Sequence, residues 1–334
     1  MSEAHQIQKN LLETTAPVNE FIANILQDKK PVQIYEASRH LIEAGGKRLR
    51  PFLTIKACEA AGGTPKDAIP FAAAVEILHN FTLVHDDVMD HDALRRGSPT
   101  VHTKYGEPMA VLAGDMLFAK VYQSVLDYAP AHISSENVVY ALQKLTDAII
   151  TLCEGQVLDI SFPKATDVSE EDYLFMISGK TSALFKACAE VGAIAAGAQT
   201  EVIDALGKFA WDAGITFQII DDILGVTAEE KTLGKPVGSD IREGKKTLIM
   251  IHALKHADEK QKKTLLEAMK GEETTHEEIE AAVDVLREVG SIEYAKKEAK
   301  KYLETAFESL NLVKDSEAKT QLISLVNYFV QREY

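Results

Sequence analysis

The sequence predicts an all-helical protein, and three observations carry that expectation. Apolar residues recur with the helical period along most of the 334 residues. No run alternates with the two-residue period of a half-buried strand, and no Asn-Gly or Asp-Gly pair marks a hairpin. The breaks between periodic stretches are short.

In chain order, helical stripes are expected at about 17–30, 32–43, 67–92, 106–128, 170–190, 201–225 and 291–312. Another runs from Val138 through Leu142, Leu145, Ile149 and Leu152. The breaks are "AGGTPKD", "RRGSPT", "YAPAHISSE", "SFPKATDVSE" and "TLGKPVGSD", none with the length or low complexity of a linker. A single all-helical domain over residues 1–334 is therefore expected. The charged run "EKQKKTLLEAMKGEETTHEEIEAA" mixes its signs and reads as a solvated helix pair at the surface.

Composition narrows the function. With 46% hydrophobic and 26% charged residues the chain can bury a large core. A net charge of −15 disfavours nucleic acid and anionic lipid. Against that background Lys47, Arg48 and Arg50 cluster, as do Arg95 with Arg96 and Lys245 with Lys246, which suggests a small anionic ligand. Cys58, Cys153 and Cys188 lack C-x-x-C spacing, so neither a disulfide scaffold nor a zinc site is expected, and a reducing cytoplasm suits them. The segment "MSEAHQIQKN" has no signal-peptide design. Lys186 and Glu190 interrupt the apolar stretch "ALFKACAEVGAIAAGA", so a soluble protein without stable membrane insertion is expected.

The stretch "LVHDDVMDHD" ends an otherwise apolar helix with four aspartates. Asp86 and Asp90 are four apart, hence on one helix face a turn apart. Alone, this could be a helix end emerging into solvent. The pattern recurs, however, in "FQIIDDILG" at residues 217–225, and two such carboxylate pairs can hold a hard cation such as Mg²⁺. Basic residues follow each: Arg95 and Arg96 after the first, Lys235 and Lys245 after the second. Carboxylates, metal and a basic fringe describe a polyphosphate site.

Other polar residues interrupt core-facing stripes. Gln156 and Asp159 continue the stripe from Val138, while Trp211, Gly214, Gln218 and Asp221 share one face of their helix. "SGKTS" at 178–182 fails the phosphate-loop pattern because residue 174 is Leu, yet Lys180 and Thr181 can still donate to a diphosphate. In "AGGKRLRPF" at 44–52, the paired glycines let backbone approach an anion. Lys47 and Arg50, three apart, can point at one ligand beside a helix N-terminus.

Together these motifs resemble the trans-isoprenyl diphosphate synthase family, and archaeal members in particular. The resemblance runs from "GGKRLRP" through "DDVMD", "RRGSPT", "GQVLD", "GKTS" and "FQIIDDILG" to "GKPVGSDIREGKKT". It implies an isoprenoid-synthase-type helical bundle around a deep central cavity, a homodimer, and two or three Mg²⁺ ions per site. It also implies head-to-tail condensation of isopentenyl diphosphate with an allylic diphosphate, geranylgeranyl diphosphate being the expected product. Farnesyl diphosphate, or both, is the alternative. By the same resemblance Asp86, Asp90 and Asp221 hold the metal, while Arg95, Lys180, Gln218, Lys235 and Lys245 serve the allylic diphosphate side. Lys47, Arg50, His79 and Arg96 hold isopentenyl diphosphate, and Thr181 and Gln218 lend oxygen dipoles to the allylic cation. The second aspartate motif departs from the family pattern by ending in Gly225, which is left out of the site.

Rivals fit less well. A terpene cyclase ionises one substrate and has no use for the intact "GGKRLRP". A His-Asp phosphohydrolase, suggested by "HDD" at 85–87, needs further spaced histidines, and His85 and His91 are read as structural. A non-catalytic synthase subunit usually lacks part of the aspartate motifs, and here the first is complete. For product length, Phe81 and Thr82 stand five and four residues before Asp86, on the side toward which the growing tail points. Phe81 lies roughly 140° from Asp86 around an ideal helix, so its role as cavity floor rests on the resemblance.

Overall fold

Helices occupy the stretches whose apolar residues repeat with the helical period. The structure, a computed structural model, describes residues 3–165, 167–227 and 238–331. α1 (Glu3–Ile25) starts well before its stripe, α2 (Val32–Glu43) matches it, and α3 (Leu49–Ala60) begins at the basic cluster. α4 (Pro65–Met89) is the deep helix: Ala72, Ala73, Ala74, Val75, Ile77 and Leu78 have no exposed surface. Such burial on successive residues, rather than on one face, is what a helix apolar all round requires.

α6 (Glu107–Tyr128) packs on α4 after the short α5 (Val101–Tyr105). Two contacts fix that pairing. Ser124 Oγ donates to the Pro70 carbonyl at 2.7 Å. Gly114 admits the His85 ring, because a Cβ there would stand 2.1 Å from Nε2. The His85 ring thus lies against α6, with Nε2 3.2 Å from the Val111 carbonyl oxygen. α7 (Ser135–Ser161), α8 (Glu170–Ile177), α9 (Ala183–Ala195) and α10 (Thr200–Thr227) follow, then α11 (Ser239–Arg242) and α12 (Leu248–His256). The charged run forms a surface pair, α13 (Glu259–Glu267) and α14 (His276–Glu288), and α15 (Ser291–Ser309) and α16 (Glu317–Gln331) end the described chain.

One expectation is corrected. "RRGSPT" is a small hairpin, β1 (Leu94–Arg95) antiparallel to β2 (Ser98–Pro99), with Arg95 opposite Ser98. Arg96 and Gly97 both take positive φ, 54° and 74°, as the primed two-residue hairpin turn demands. The turn is there without Asn-Gly because arginine occupies the first left-handed position.

The chain divides into two compact units, each drawn from three stretches: residues 1–147, 187–207 and 312–322, and residues 148–186, 208–311 and 323–334. The first unit buries Leu41, Phe52, Phe71 and Ile77. The second is built on Tyr173, Ile219, Ile223, Leu248, Leu265 and Leu286. Among the described residues two helices, α4 and α6, are long and apolar enough to cross a membrane by length and composition. The stretch after residue 183, singled out in the sequence, is not one of them. In α4 the apolar window is 67% buried in the protein, as the core helix of a globular protein requires.

Candidate active site

The first unit carries the basic site. Gly45 and Gly46, at φ 102° and 142°, turn the chain sharply out of α2, and Arg48 is left-handed at φ 52° before α3 begins. Lys47 and Arg50 flank it, Arg50 in the first turn of α3, as the spacing predicts. Arg96 returns from the hairpin to this loop and donates through one guanidinium nitrogen to the carbonyls of Gly45 and, at 3.2 Å, Leu41. His79 lies on α4 with its pKa held well below the usual histidine value, first by burial and then by Arg50, Arg96, Arg95 and Arg48. The imidazole is neutral at physiological pH. Arg50, His79 and Arg96 therefore belong to one strongly positive locality, and Lys47 stands beside Arg48 in the chain.

At the other end of α4, Asp86 and Asp90 stand one turn apart, the Asp90 N–H donating to the Asp86 carbonyl at 2.8 Å. Their neighbour Asp87 points inward, fully buried. Arg95 binds it through Nε and reaches Asp92 with a second nitrogen at 3.0 Å. Burial raises the Asp87 pKa to about 6, against the pull of Arg95. The sequence placed Arg95 on a diphosphate; its guanidinium is here a bridge between two aspartates behind the Asp86–Asp90 face. Phe81 makes an edge contact with His85 at 4.9 Å and meets Phe118 at 5.3 Å, and Phe118 meets Tyr122 at 5.4 Å. Thr82 donates its hydroxyl to the His79 carbonyl at 2.8 Å, which leaves its small methyl-bearing side chain close to the helix.

The second unit carries an acidic site. A cavity of about 250 Å³ is lined by Asp159, Lys180, Thr181, Gln218, Asp221, Asp222, Asp240 and Lys245, over a floor that includes Tyr173, Met176 and Ile177. α8 and α9 are joined by a π-turn, Ser178–Ser182, whose wider winding brings the consecutive Lys180 and Thr181 to one cavity. This turn crosses α7 at touching distance: a Cβ on Gly155 would stand 2.3 Å from the Lys180 nitrogen, and one on Gly179 2.7 Å from the Thr151 carbonyl.

A hydrogen-bonded chain runs through the cavity wall. Thr181 donates to Gln218 Oε1 at 2.9 Å, and Gln218 Nε2 donates to Asp222 Oδ1 at 2.9 Å. The Tyr173 hydroxyl donates to the other Asp222 oxygen at 2.6 Å. Asp222 is pushed up to about 7, chiefly by burial and next by Asp240. Lys180 is paired with Asp159. Lys245 lies 3.3 Å from Asp240 and 3.1 Å from Glu243. Its burial disfavours the charge, but Asp240, Glu243 and Asp159 outweigh that and raise its pKa. Gly225 has a physical reason: a Cβ there would come within 3.0 Å of Asp240 Oδ2. The missing third carboxylate of the motif makes room for one from the following segment.

The sequence thus located Lys180, Thr181, Gln218, Asp221 and Lys245, which share this cavity. It missed Tyr173, Asp222 and Asp240, and it noted Asp159 only as a polar intrusion. Lys235 lies outside the described residues. Trp211, on the same predicted face, lies instead under the Lys186 ammonium at 5.8 Å.

The Polyprenyl synthetase family profile matches residues 31–286. This chain belongs to that family. It is 46% identical, over 89% of both chains, to the geranylgeranyl diphosphate synthase of Sulfolobus acidocaldarius. It shares 43% identity and a TM-score of 0.92 with the crystal structure of geranylgeranyl pyrophosphate synthetase from Pyrococcus horikoshii, over 99% of each chain. A polyprenyl synthase from Caulobacter crescentus, complexed with calcium and isoprenyl diphosphate, matches with a TM-score of 0.88 at 31% identity, over 99% of this chain and 98% of that one. As a polyprenyl synthetase the chain is a trans-prenyltransferase, and its substrates are isoprenoid diphosphates.

Proposed function

We propose that this polyprenyl synthetase condenses isopentenyl diphosphate head-to-tail with allylic diphosphates to give all-trans geranylgeranyl diphosphate. The observation that carries the reading is a pair of sites of opposite character, an arginine-rich one with a neutral imidazole and a carboxylate-lined one with lysines. A reaction between two diphosphates, one of which ionises, calls for both. The names of the Sulfolobus and Pyrococcus proteins support the twenty-carbon product.

Asp86 and Asp90 in the first unit, and Asp221 in the second, offer only carboxylate oxygens, which suits Mg²⁺. Among the described residues no three His, Cys, Asp or Glu side chains gather closely enough to hold a metal unaided. Mg²⁺ commonly binds through one or two carboxylates with substrate phosphates and water, so the Asp86–Asp90 pair, one helix turn apart, fits it. When bound, it would act as a Lewis acid toward the leaving diphosphate. Calcium in the Caulobacter complex supports a divalent cation.

The chain's own residues supply the rest. Lys180 and Lys245 stabilise charge on the departing diphosphate, together with Lys235. Gln218 turns its amide nitrogen to Asp222 and its oxygen to Thr181, so an oxygen dipole is available to the allylic cation. Lys47, Arg50, His79 and Arg96 hold isopentenyl diphosphate, and His79 does so as a neutral donor. The released diphosphate takes the proton, as the family resemblance implies. The aromatic ladder of Phe81, Phe118 and Tyr122 supports the reading of Phe81 as floor for the growing tail.

The reading includes a single functional domain, since four of the five breaks between the two units fall inside α7, α9, α10 and α16 rather than in linkers. It also includes a cytoplasmic homodimer without membrane insertion, supported by the exposed Val111, Leu112, Leu126 and Tyr128 of α6, apolar surface for a second copy to cover. The test is incubation of the pure protein with Mg²⁺, labelled isopentenyl diphosphate and each allylic primer, with product length read by chromatography.

A further inference from the structure

Three basic residues stand almost together at the start of α3, yet they are not equivalent. Lys47 is exposed, whereas the Arg48 side chain keeps only 10% of its surface and its partner Glu76 only 3%. Arg48 spends its whole guanidinium on the protein. Nε donates to Asn19 Oδ1 of α1 at 2.8 Å. One terminal nitrogen donates to Glu76 Oε1 of α4 at 2.9 Å and to the Gly45 carbonyl at 3.1 Å. The other donates to the Ile42 carbonyl at 2.8 Å. Asn80 donates to the same Glu76 oxygen at 3.2 Å, so the carboxylate is held from the helix below.

The backbone agrees with the side chain. Arg48 takes the left-handed conformation that a non-glycine residue adopts only when its surroundings demand it. Gly46 allows the convergence, since a Cβ there would stand 2.9 Å from an Arg48 terminal nitrogen and 3.0 Å from the Arg96 guanidinium carbon. Glu76 also acts on the charges of Arg50 and Arg96. It is the buried counter-ion that lets guanidinium groups gather before any diphosphate arrives.

We propose that the buried Arg48–Glu76 pair is a positioning device that holds Lys47 and Arg50 in the geometry that receives isopentenyl diphosphate. Arg48 touches no substrate. Its planar fork joins α1, the end of α2 and α4 through four acceptors, which the point charge of a lysine does not reproduce. The proposal deepens the function above and rests on it.

The test is Arg48→Lys, which keeps the charge and removes the fork. The expected result is a roughly tenfold rise in KM for isopentenyl diphosphate, with kcat within about twofold and KM for the allylic diphosphate unchanged. Glu76→Gln, nearly isosteric, should shift the same constant in the same direction by less, and it keeps the test open should Arg48→Lys fold poorly. A folded variant with unchanged KM, or with equal losses for both substrates, overturns the proposal. Calorimetric titration with isopentenyl diphosphate in the absence of metal separates this proposal from the reaction itself. Binding about tenfold weaker in Arg48→Lys sustains it even if no condensation product forms, and equal binding in both proteins overturns it.

Discussion

The two candidate sites solve opposite electrostatic problems. In the first unit, arginines gather around one buried carboxylate, Glu76, and the local histidine is driven neutral. In the second, carboxylates gather around Lys180 and Lys245, and the buried Asp222 is driven toward its protonated form. The first site is organised by protein contacts alone: Arg48 and Arg96 tie its loop to fixed carbonyls. The second retains like charges that strain one another, a state that a divalent cation would relieve. The comparison teaches that the arginine cluster is fixed by protein contacts alone, whereas the carboxylate cluster keeps like charges close together.

The largest effect expected from breaking this contrast is at the metal. Asp86→Ala and Asp221→Ala should each lower kcat by at least about 10²–10³, the scale of losing one electrostatic stabiliser of the transition state. Chelation with EDTA should abolish turnover reversibly. Full turnover in rigorously metal-free protein contradicts the assignment.

On the arginine side the effect should be smaller and selective. Lys47→Ala or Arg50→Ala removes one charge-assisted contact worth about 1.5–3 kcal/mol. The apparent KM for isopentenyl diphosphate should rise about ten- to a hundredfold, with little change for the allylic partner. Steady-state kinetics with each substrate varied in turn decides it, and equal shifts in both constants would mean that Lys47 and Arg50 serve neither substrate specifically.

Product length is expected to shift without a comparable loss of rate. Phe81→Ala opens the ladder to Phe118 and should lengthen the product, while Thr82→Phe should shorten it. An unchanged product distribution from an active Phe81→Ala protein makes Phe81 ordinary packing.

The smallest expected effect is on stability. His79 has a lowered pKa in the folded protein, so below about pH 6.5 the unfolded chain binds a proton that the folded one refuses. More protons on the unfolded side mean that stability falls as pH falls through that value. In His79→Gln the decline of Tm between about pH 7.5 and 5.5 should be shallower than in the parent, by a few degrees. Equal slopes by thermal denaturation would show that His79 protonates freely.

Much of this was legible in the sequence, for definite reasons. The depth of α4 follows from an apolar run with no polar face, and Asp86 and Asp90 share a face because they are four apart. Gln218 and Asp221 stand out as polar residues on a core-facing helix face, and Lys180 and Thr181 stand out in "SGKTS". What was not legible depended on where a side chain turns. Asp87 and Asp222 are each one residue from a predicted ligand, and one residue is about 100° around a helix. Each faces inward, to Arg95 or to Tyr173, the latter 49 residues away in sequence. Arg48 looked like its neighbours until a left-handed backbone turned it in. The hairpin hid because Arg-Gly, not Asn-Gly, makes its turn.

The most direct test of the central claim is the product formed by metal-loaded protein from labelled isopentenyl diphosphate and farnesyl diphosphate. All-trans geranylgeranyl diphosphate, formed only with a divalent cation and released with one pyrophosphate per condensation, is the predicted result. Free phosphate, a cyclised hydrocarbon, or no carbon–carbon bond with any allylic primer would contradict it.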